Sequence, residues 1–324
     1  NMQNPVTPSY DKNSAVVVLP PVSGGRLQDP GLRAWLARSD LTRRDGEREL
    51  LSLIVAELGL PYPEEGLAAL RMWGQTGDQP TVWIAAADPV YLEPRLDRRC
   101  LHALRRQGVP PADLRPLIDH IQGTLANGRT YDFARLGSCG YLRTDVPMAS
   151  AAVPSYVLDG QAPDEHLPKG EGSDEYRKLI SEVEMAIHEH EVNRMRAGRD
   201  LPPINSLWIW GGGKAPERTN RPQPPLFSDD PLLTGYWESA TAQAETWPGN
   251  IADCVAVTSA GFVAEVPEAA DDPELLETCL RQLRSAVKSG RLSGLVLLFR
   301  DGLRAEIKRS QALRFWRRDS ELLE

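Results

Sequence analysis

Apolar residues in this chain recur in two spacings. Continuous runs of strand length stand at Ser14–Pro20 (SAVVVLP), Thr81–Ala87 (TVWIAAA), Ile204–Trp210 (INSLWIW) and Gly294–Phe299 (GLVLLF), each followed by turn-forming residues. Such runs predict strands covered on both faces. Elsewhere the apolar positions fall three and four apart, which predicts helices over Asp29–Ala37, Gly46–Leu58, Glu64–Trp73, Ala112–Leu125, Ser173–Ala197 and Pro273–Ser289. The clearest stripe is Leu275, Leu276, Leu280, Leu283 and Val287. Ser228-Asp229-Asp230-Pro231 reads as a capped helix start, Asp253–Val257 as a short strand and Ser310–Arg318 as a short basic helix. Alternation over Thr130–Arg143 predicts a hairpin about Gly137-Ser138, after a break at Asn127-Gly128. A second hairpin joins Gly294–Phe299 to Leu303–Lys308 through Arg300-Asp301-Gly302. Pro, Gly, Ser and Asp dominate Thr144–Gly172, as in a long surface connection.

Strands alternate with helices at both ends, whereas the middle reads as α+β. The expected organisation is a polar lead-in over residues 1–13, an α/β core over 14–78 and 173–324, and an inserted α+β domain over 79–172. The 324 residues suffice for both parts. A net charge of −8 argues against nucleic acid or an anionic membrane as partner. No apolar run is long enough to span a membrane, and the polar lead-in has no apolar signal core, so a cytoplasmic location is expected. The four cysteines (Cys100, Cys139, Cys254, Cys279) are widely spaced without a CxxC, which fits reduced thiols and neither a disulfide frame nor a zinc site.

The strongest candidate for ligand contact is Pro202–Pro216, where the tryptophan-bearing run ends in Gly211, Gly212, Gly213 and Lys214. Ligands of open α/β sheets gather at the carboxyl ends of strands. A P-loop is ruled out because Ala215-Pro216 follows the lysine, and GxGxxG is absent. What these residues can offer an anion is backbone N–H groups and one ammonium; the alternative is a plain tight turn. His188 and His190, two apart on a helix, point away from each other and cannot share a metal. His190, Asn193, Arg194 and Arg196 gather at a predicted helix C-terminus, where they either answer the helix dipole or hold a phosphate or carboxylate. Asp229-Asp230 reads as helix capping. No GxSxG occurs, Ser23, Ser138 and Ser150 have no neighbouring base, and Cys139 lies in a hairpin turn. None of the five histidines follows His190, which excludes histidine ligation in the C-terminal part.

The run LPKGEGSDEYRKLISEVEMAIHEHEVNRMRAGRDLPPINSLWIWGGGKAP resembles the bacterial RpfE-type regulatory proteins, as do the Val-rich opening, VWIAAADPVYLEPRLD and the closing LRFWRR. The HEHEVNRMRAG…PPINSLWIWGGG element is also similar to archaeal-type cofactor-independent phosphoglycerate mutases of the alkaline-phosphatase superfamily. That resemblance implies an alkaline-phosphatase-like core sheet with helices on both faces and an inserted domain. For the enzymes it implies two divalent metals, held by an Asp after the first strand and by later Asp and His residues, with a Ser or Thr nucleophile. Here the first strand runs into Pro20-Pro21-Val22-Ser23 and no late histidine exists. Two-metal catalysis cannot survive loss of ligands on both sides. The expectation is therefore a catalytically degenerate relative with no cofactor and no catalytic residue. It would bind a small phosphorylated or carboxylate metabolite, or a protein partner, in a regulatory role. The expected ligand contacts are His190, Asn193, Arg196, Asn205, Trp210, Gly211, Gly212, Gly213 and Lys214. The alternatives are an active phosphomutase or phosphatase using Asp88, Asp229 and Asp230 for metal, and a structural or assembly protein.

Overall fold

The computed structural model describes residues 13–46, 48–104, 109–126, 131–258, 260–268, 272, 274–308 and 320–323. The lead-in up to residue 12, the Asn127-Gly128 break and the basic helix over Ser310–Arg318 lie outside these residues. No helix among the described residues is long and apolar enough to cross a membrane. The chain divides into two compact units, Asn1–Tyr62 with Arg218–Glu324, and Pro63–Glu217.

In the first unit the Val-rich run becomes β1 (Ser14–Leu19), fully buried from Ala15 onward. A strand apolar at every position needs cover on both faces, which only the middle of a sheet provides. With β2 (Asp40–Arg43), β8 (Leu226–Phe227), β9 (Ala244–Glu245), β10 (Val263–Glu265), β11 (Gly294–Phe299) and β12 (Leu303–Lys308), it forms a sheet of order β2-β12-β11-β1-β10-β8-β9. β1 lies parallel between β10 and β11, with Val16 facing Val263 on one side and Val296 on the other. The helices are α1 (Pro30–Ala37), α2 (Leu50–Leu58), α7 (Pro231–Ser239), α8 (Ile251–Val257) and α9 (Leu275–Lys288). The predicted Asp-Gly hairpin forms between β11 and β12, and Gly302 is required there. Its φ is 87°, and an added Cβ would lie 2.7 Å from the Arg44 carbonyl oxygen. Asp253–Val257, expected as a strand, is part of the helix α8. The Asn250 side chain caps it by accepting from Asp253 N at 2.8 Å, and Gln282 accepts from Ile251 N. A five-residue apolar run has no periodicity to separate strand from helix, and the caps decide.

The second unit is built on β3 (Ile84–Pro94), which pairs antiparallel with β4 (Arg99–His102), β6 (Cys139–Thr144) and β7 (Ser206–Gly213); β5 (Tyr131–Leu136) extends the sheet beyond β6. Asp88-Pro89, expected to end a strand, lies inside β3, which continues to Pro94. Helices α3 (Leu67–Thr76), α4 (Pro111–Leu125), α5 (Ser173–Ile187) and α6 (Glu191–Ala197) complete the unit. Leu114, Leu117, Ile118 and Ile121 meet Leu179, Val183 and Ile187 in its core. The single helix expected over Ser173–Ala197 is broken after Ile187, because His190 leaves helical geometry and caps a new one.

Two differences from the sequence reading have one cause. The tryptophan-glycine strand joins β3 in the second unit and not the β1 sheet, and the inserted unit spans 63–217 where 79–172 was expected. A continuous apolar run states that a strand is buried without stating in which sheet.

Candidate functional site

Ligands of parallel sheets collect beyond the strands' carboxyl ends. In the first unit that edge is crowded with charge. The Arg300 side chain, directly after β11, is as buried as that of Glu265 at the end of β10, with which it is ion-paired; it also donates to the Val266 carbonyl at 3.0 Å. Ser228, after β8, donates its hydroxyl to the other Glu265 oxygen at 3.1 Å. Burial pushes the Glu265 carboxyl up, and Arg300 and Ser228 pull against it. Asp301 accepts from the backbone N–H groups of Val22 and Ser23 at 3.1 and 2.9 Å, closing the turn where the resemblance implies a metal-binding Asp. Asp230 caps α7 through Leu232 N and Leu233 N, and Asp229 accepts from Trp247 N at 3.1 Å. Glu49 caps α2 through Leu51 N and Ser52 N and accepts the Tyr62 hydroxyl; burial raises its pKa to about 7.

The donor set at this edge does not fit two divalent ions. Its carboxylates are engaged by a guanidinium or by backbone N–H groups, and the unit contains no histidine. A buried arginine cation also opposes a second cation beside it. Asp88, the third member of the alternative metal set, lies in the other unit. It pairs with Arg71 at 2.8 Å and accepts from Trp210 Nε1 at 2.7 Å.

What this edge does offer is positive charge. Val18, Leu298 and Phe299 line a cavity of about 30 Å³ that Arg44, Arg48, Arg300 and Arg304 surround. That is room for two or three waters or one anionic headgroup. Arg304 forks onto Glu57 at 2.7 and 2.8 Å, and Arg44 reaches the same carboxylate at 3.1 Å. Arg48 is exposed and has no carboxylate partner among the described residues, and Arg300 Nε is buried without a hydrogen-bond acceptor. Sequence reasoning missed this cluster because its arginines come from two segments some 250 residues apart.

The ligand contacts expected from sequence, His190 to Lys214, all fall in the second unit, and each but the Lys214 side chain has a structural partner there. His190 caps α6 by accepting from Val192 N at 3.3 Å and packs on His120, and burial lowers its pKa. Asn193 accepts from Ile204 N at 2.8 Å and donates to Ile204 O at 2.9 Å. Arg196 is fully buried, paired with Asp113 at 2.8 Å and donating to Pro202 O. Asn205 bonds both the N–H and the carbonyl of Leu92, continuing the ladder with its side chain. Replacing Asn193 by alanine is expected to cost about 1–3 kcal/mol, because it strands the Ile204 backbone groups. Chemical denaturation of the full chain measures it.

The three glycines do not form a turn; they form a bulge inside β7. Trp210 faces Ala86 and Gly213 faces Ile84, so one extra residue is accommodated, with Gly211 at φ 64°. The start of α3 lies directly against them: an added Cβ at Gly213 would be 2.3 Å from Gly66 N, and one at Gly211 3.1 Å from Leu67 Cβ. Gly212 N donates to Ser150 Oγ and Gly211 N to Ala151 O, so these N–H groups are engaged within the unit. The side chain of Lys214 is exposed.

No family model matches the chain. It is 34% identical over 112 residues to the "Probable 2,3-bisphosphoglycerate-independent phosphoglycerate mutase" of Geobacter sulfurreducens, covering 33% of this chain and 27% of that one. It is 31% identical over 100 residues to the 2,3-bisphosphoglycerate-independent phosphoglycerate mutase of Methanothrix thermoacetophila, covering 31% and 25%. The match thus spans about a quarter of these curated relatives' length, and over that stretch the chain is homologous to cofactor-independent phosphoglycerate mutases. Among solved structures, PH0037 protein from Pyrococcus horikoshii aligns with TM-score 0.50 at 12% identity over 92% of this chain and 87% of that one, which shows a shared mixed α/β fold. The cofactor-independent phosphoglycerate mutase of Thermoplasma acidophilum aligns with TM-score 0.41 at 15% identity over 92% and 90%.

Proposed function

We propose that this chain is a phosphoglycerate-mutase-like protein that binds a small phosphorylated or carboxylate metabolite without turning it over. The observation that carries the reading is the buried Arg300–Glu265 pair at the strand ends, beside a cavity ringed by four arginines. Arginine suits this task, since its planar fork matches phosphate and carboxylate oxygens in pairs. The cavity takes the anionic headgroup, and Arg300 and the exposed Arg48, which both line it, supply the donors. A regulatory role, as the resemblance to RpfE-type proteins implies, agrees with binding that consumes nothing.

The test combines calorimetric titration of the purified full chain with inorganic phosphate and 3-phosphoglycerate, metal analysis, and mutase and phosphatase assays. Saturable, salt-sensitive binding is expected, weakened about tenfold or more in Arg48→Ala with an unchanged melting temperature. Turnover with bound manganese, magnesium or zinc overturns the reading in favour of an enzyme. Absence of any anion binding overturns it in favour of an assembly role.

A further inference from the structure

We infer that the β3–β4 ribbon of the second unit carries a three-ligand site for a zinc-class divalent ion, built from Glu93, Cys100 and His102. The inference is independent of the arginine cavity. Register makes the site: Glu93 stands directly opposite Cys100, and Tyr91 opposite His102. Side chains two apart on a strand share a face, so the thiol and the imidazole of β4 both meet the carboxylate of β3. One ligand atom from each lies within 4.8 Å of the other two. Zinc–sulfur and zinc–nitrogen bonds of about 2.3 and 2.0 Å place such atoms about 3.6 Å apart in a tetrahedron, so closing on an ion asks for a small rotation of the Glu93 and His102 side chains. Both are partly exposed, at 38% and 33%, whereas Cys100 is buried and fixed.

The surroundings support ligation. The His102 ring stacks on Tyr91, with centroids 5.6 Å apart and planes 21° apart, which fixes the imidazole plane. His102 Nε2 lies 3.0 Å from Glu93 Oε2, and Arg95 donates to that same oxygen through Nε and Nη2 at 3.2 and 3.1 Å. Glu93 Oε1 is thereby left for an ion, with Arg95 acting as the outer partner that ligating carboxylates usually have. Loss of the thiol proton to solvent on binding leaves a thiolate that, with the Glu93 carboxylate, neutralises the ion's two charges, and the exposed Arg95 remains as the uncompensated cation the site must tolerate. A thiolate, an imidazole and a carboxylate select zinc or cobalt over magnesium and calcium, which prefer oxygen alone. Three protein ligands leave the fourth position to water, the pattern of an exchangeable or reactive centre and not of a closed structural one.

The site was not legible from cysteine spacing, because its three ligands sit on two strands and only the hairpin register brings Glu93 across. The test uses untagged full-length protein, reduced and free of chelator, titrated with Co²⁺ alone. One equivalent is expected to bind and to give a thiolate-to-cobalt charge-transfer band that Zn²⁺ then abolishes. Cys100→Ser is expected to remove the band, and Cys139→Ser, which alters the half-buried thiol elsewhere in the unit, to leave it intact. Glu93→Gln and His102→Ala change partly exposed side chains, so they keep the test decisive should Cys100→Ser fail to fold. Each is expected to weaken Co²⁺ binding about tenfold or more. Absence of the band, its survival in Cys100→Ser, its loss in Cys139→Ser, or unchanged affinity in both Glu93→Gln and His102→Ala overturns the inference.

Discussion

Replacing Arg300 by alanine is expected to lower the stability of the first unit by about 3–5 kcal/mol, since it leaves Glu265 buried without its counter-charge. For a unit of this size that corresponds to a fall of roughly 6–20 °C in melting temperature. Glu265 is 6% exposed, and among the described residues the Ser228 hydroxyl is the remaining side-chain donor to its carboxylate. The informative comparison is the double variant Arg300→Met with Glu265→Leu. Taking both charges out of a buried site in favour of apolar groups of similar volume is commonly neutral or stabilising. The double variant should therefore melt near or above the native chain while losing affinity for inorganic phosphate. That outcome separates a pair retained for ligand binding from one retained for folding. A double variant that binds phosphate as well as the native chain would detach the ion pair from the proposed function, and an Arg300→Ala variant that melts normally would show that Glu265 is not buried as described.

A second large effect lies in pH. The Glu49 carboxyl is raised from an ordinary 4.5 to about 7, with burial the leading cause; the N–H groups of Leu51 and Ser52 and the Tyr62 hydroxyl oppose it, and Asp230 adds to it. The folded-state value lies above the unfolded one, so the fold favours the neutral acid. Glu49 therefore contributes stability that is fully present below about pH 4.5 and is lost as pH rises through 7. The shift corresponds to about 3 kcal/mol at most. Thermal unfolding of the native chain between pH 5 and 7.5 should show this loss. Glu49→Gln should be less stable at pH 5, because one acceptor oxygen is replaced by a donor, yet nearly flat across the window. Parallel slopes for the two proteins would remove Glu49 as the source.

Much of the first unit was legible because its signals are local. Five buried positions in succession predict β1 as a central strand, and the stripe of α9 and the Asp-Gly turn between β11 and β12 are written in neighbouring residues. Short pieces such as β8, β9 and β10 were not legible, since two or three residues carry no period and exist as strands only because β1 gives them an edge to extend. The candidate site divides in the same way. The absence of late histidines and of an Asp after β1 is readable from composition and position. That Asp301 closes the β1 turn in its place, from 279 residues away, is not.

The tryptophan-glycine stretch shows where the boundary falls. Its sequence alone determined that it is a buried strand and that three adjacent positions carry no side chain. Whether the glycines open a loop to a ligand or let two backbones approach is a matter of what lies opposite. The start of α3, from a segment some 145 residues earlier, presses against the bulge and uses that space. Periodicity reports how much of a segment is buried, because burial follows from the polarity of each residue in turn. Which segment does the burying depends on packing between distant parts of the chain, and only the tertiary structure supplies it.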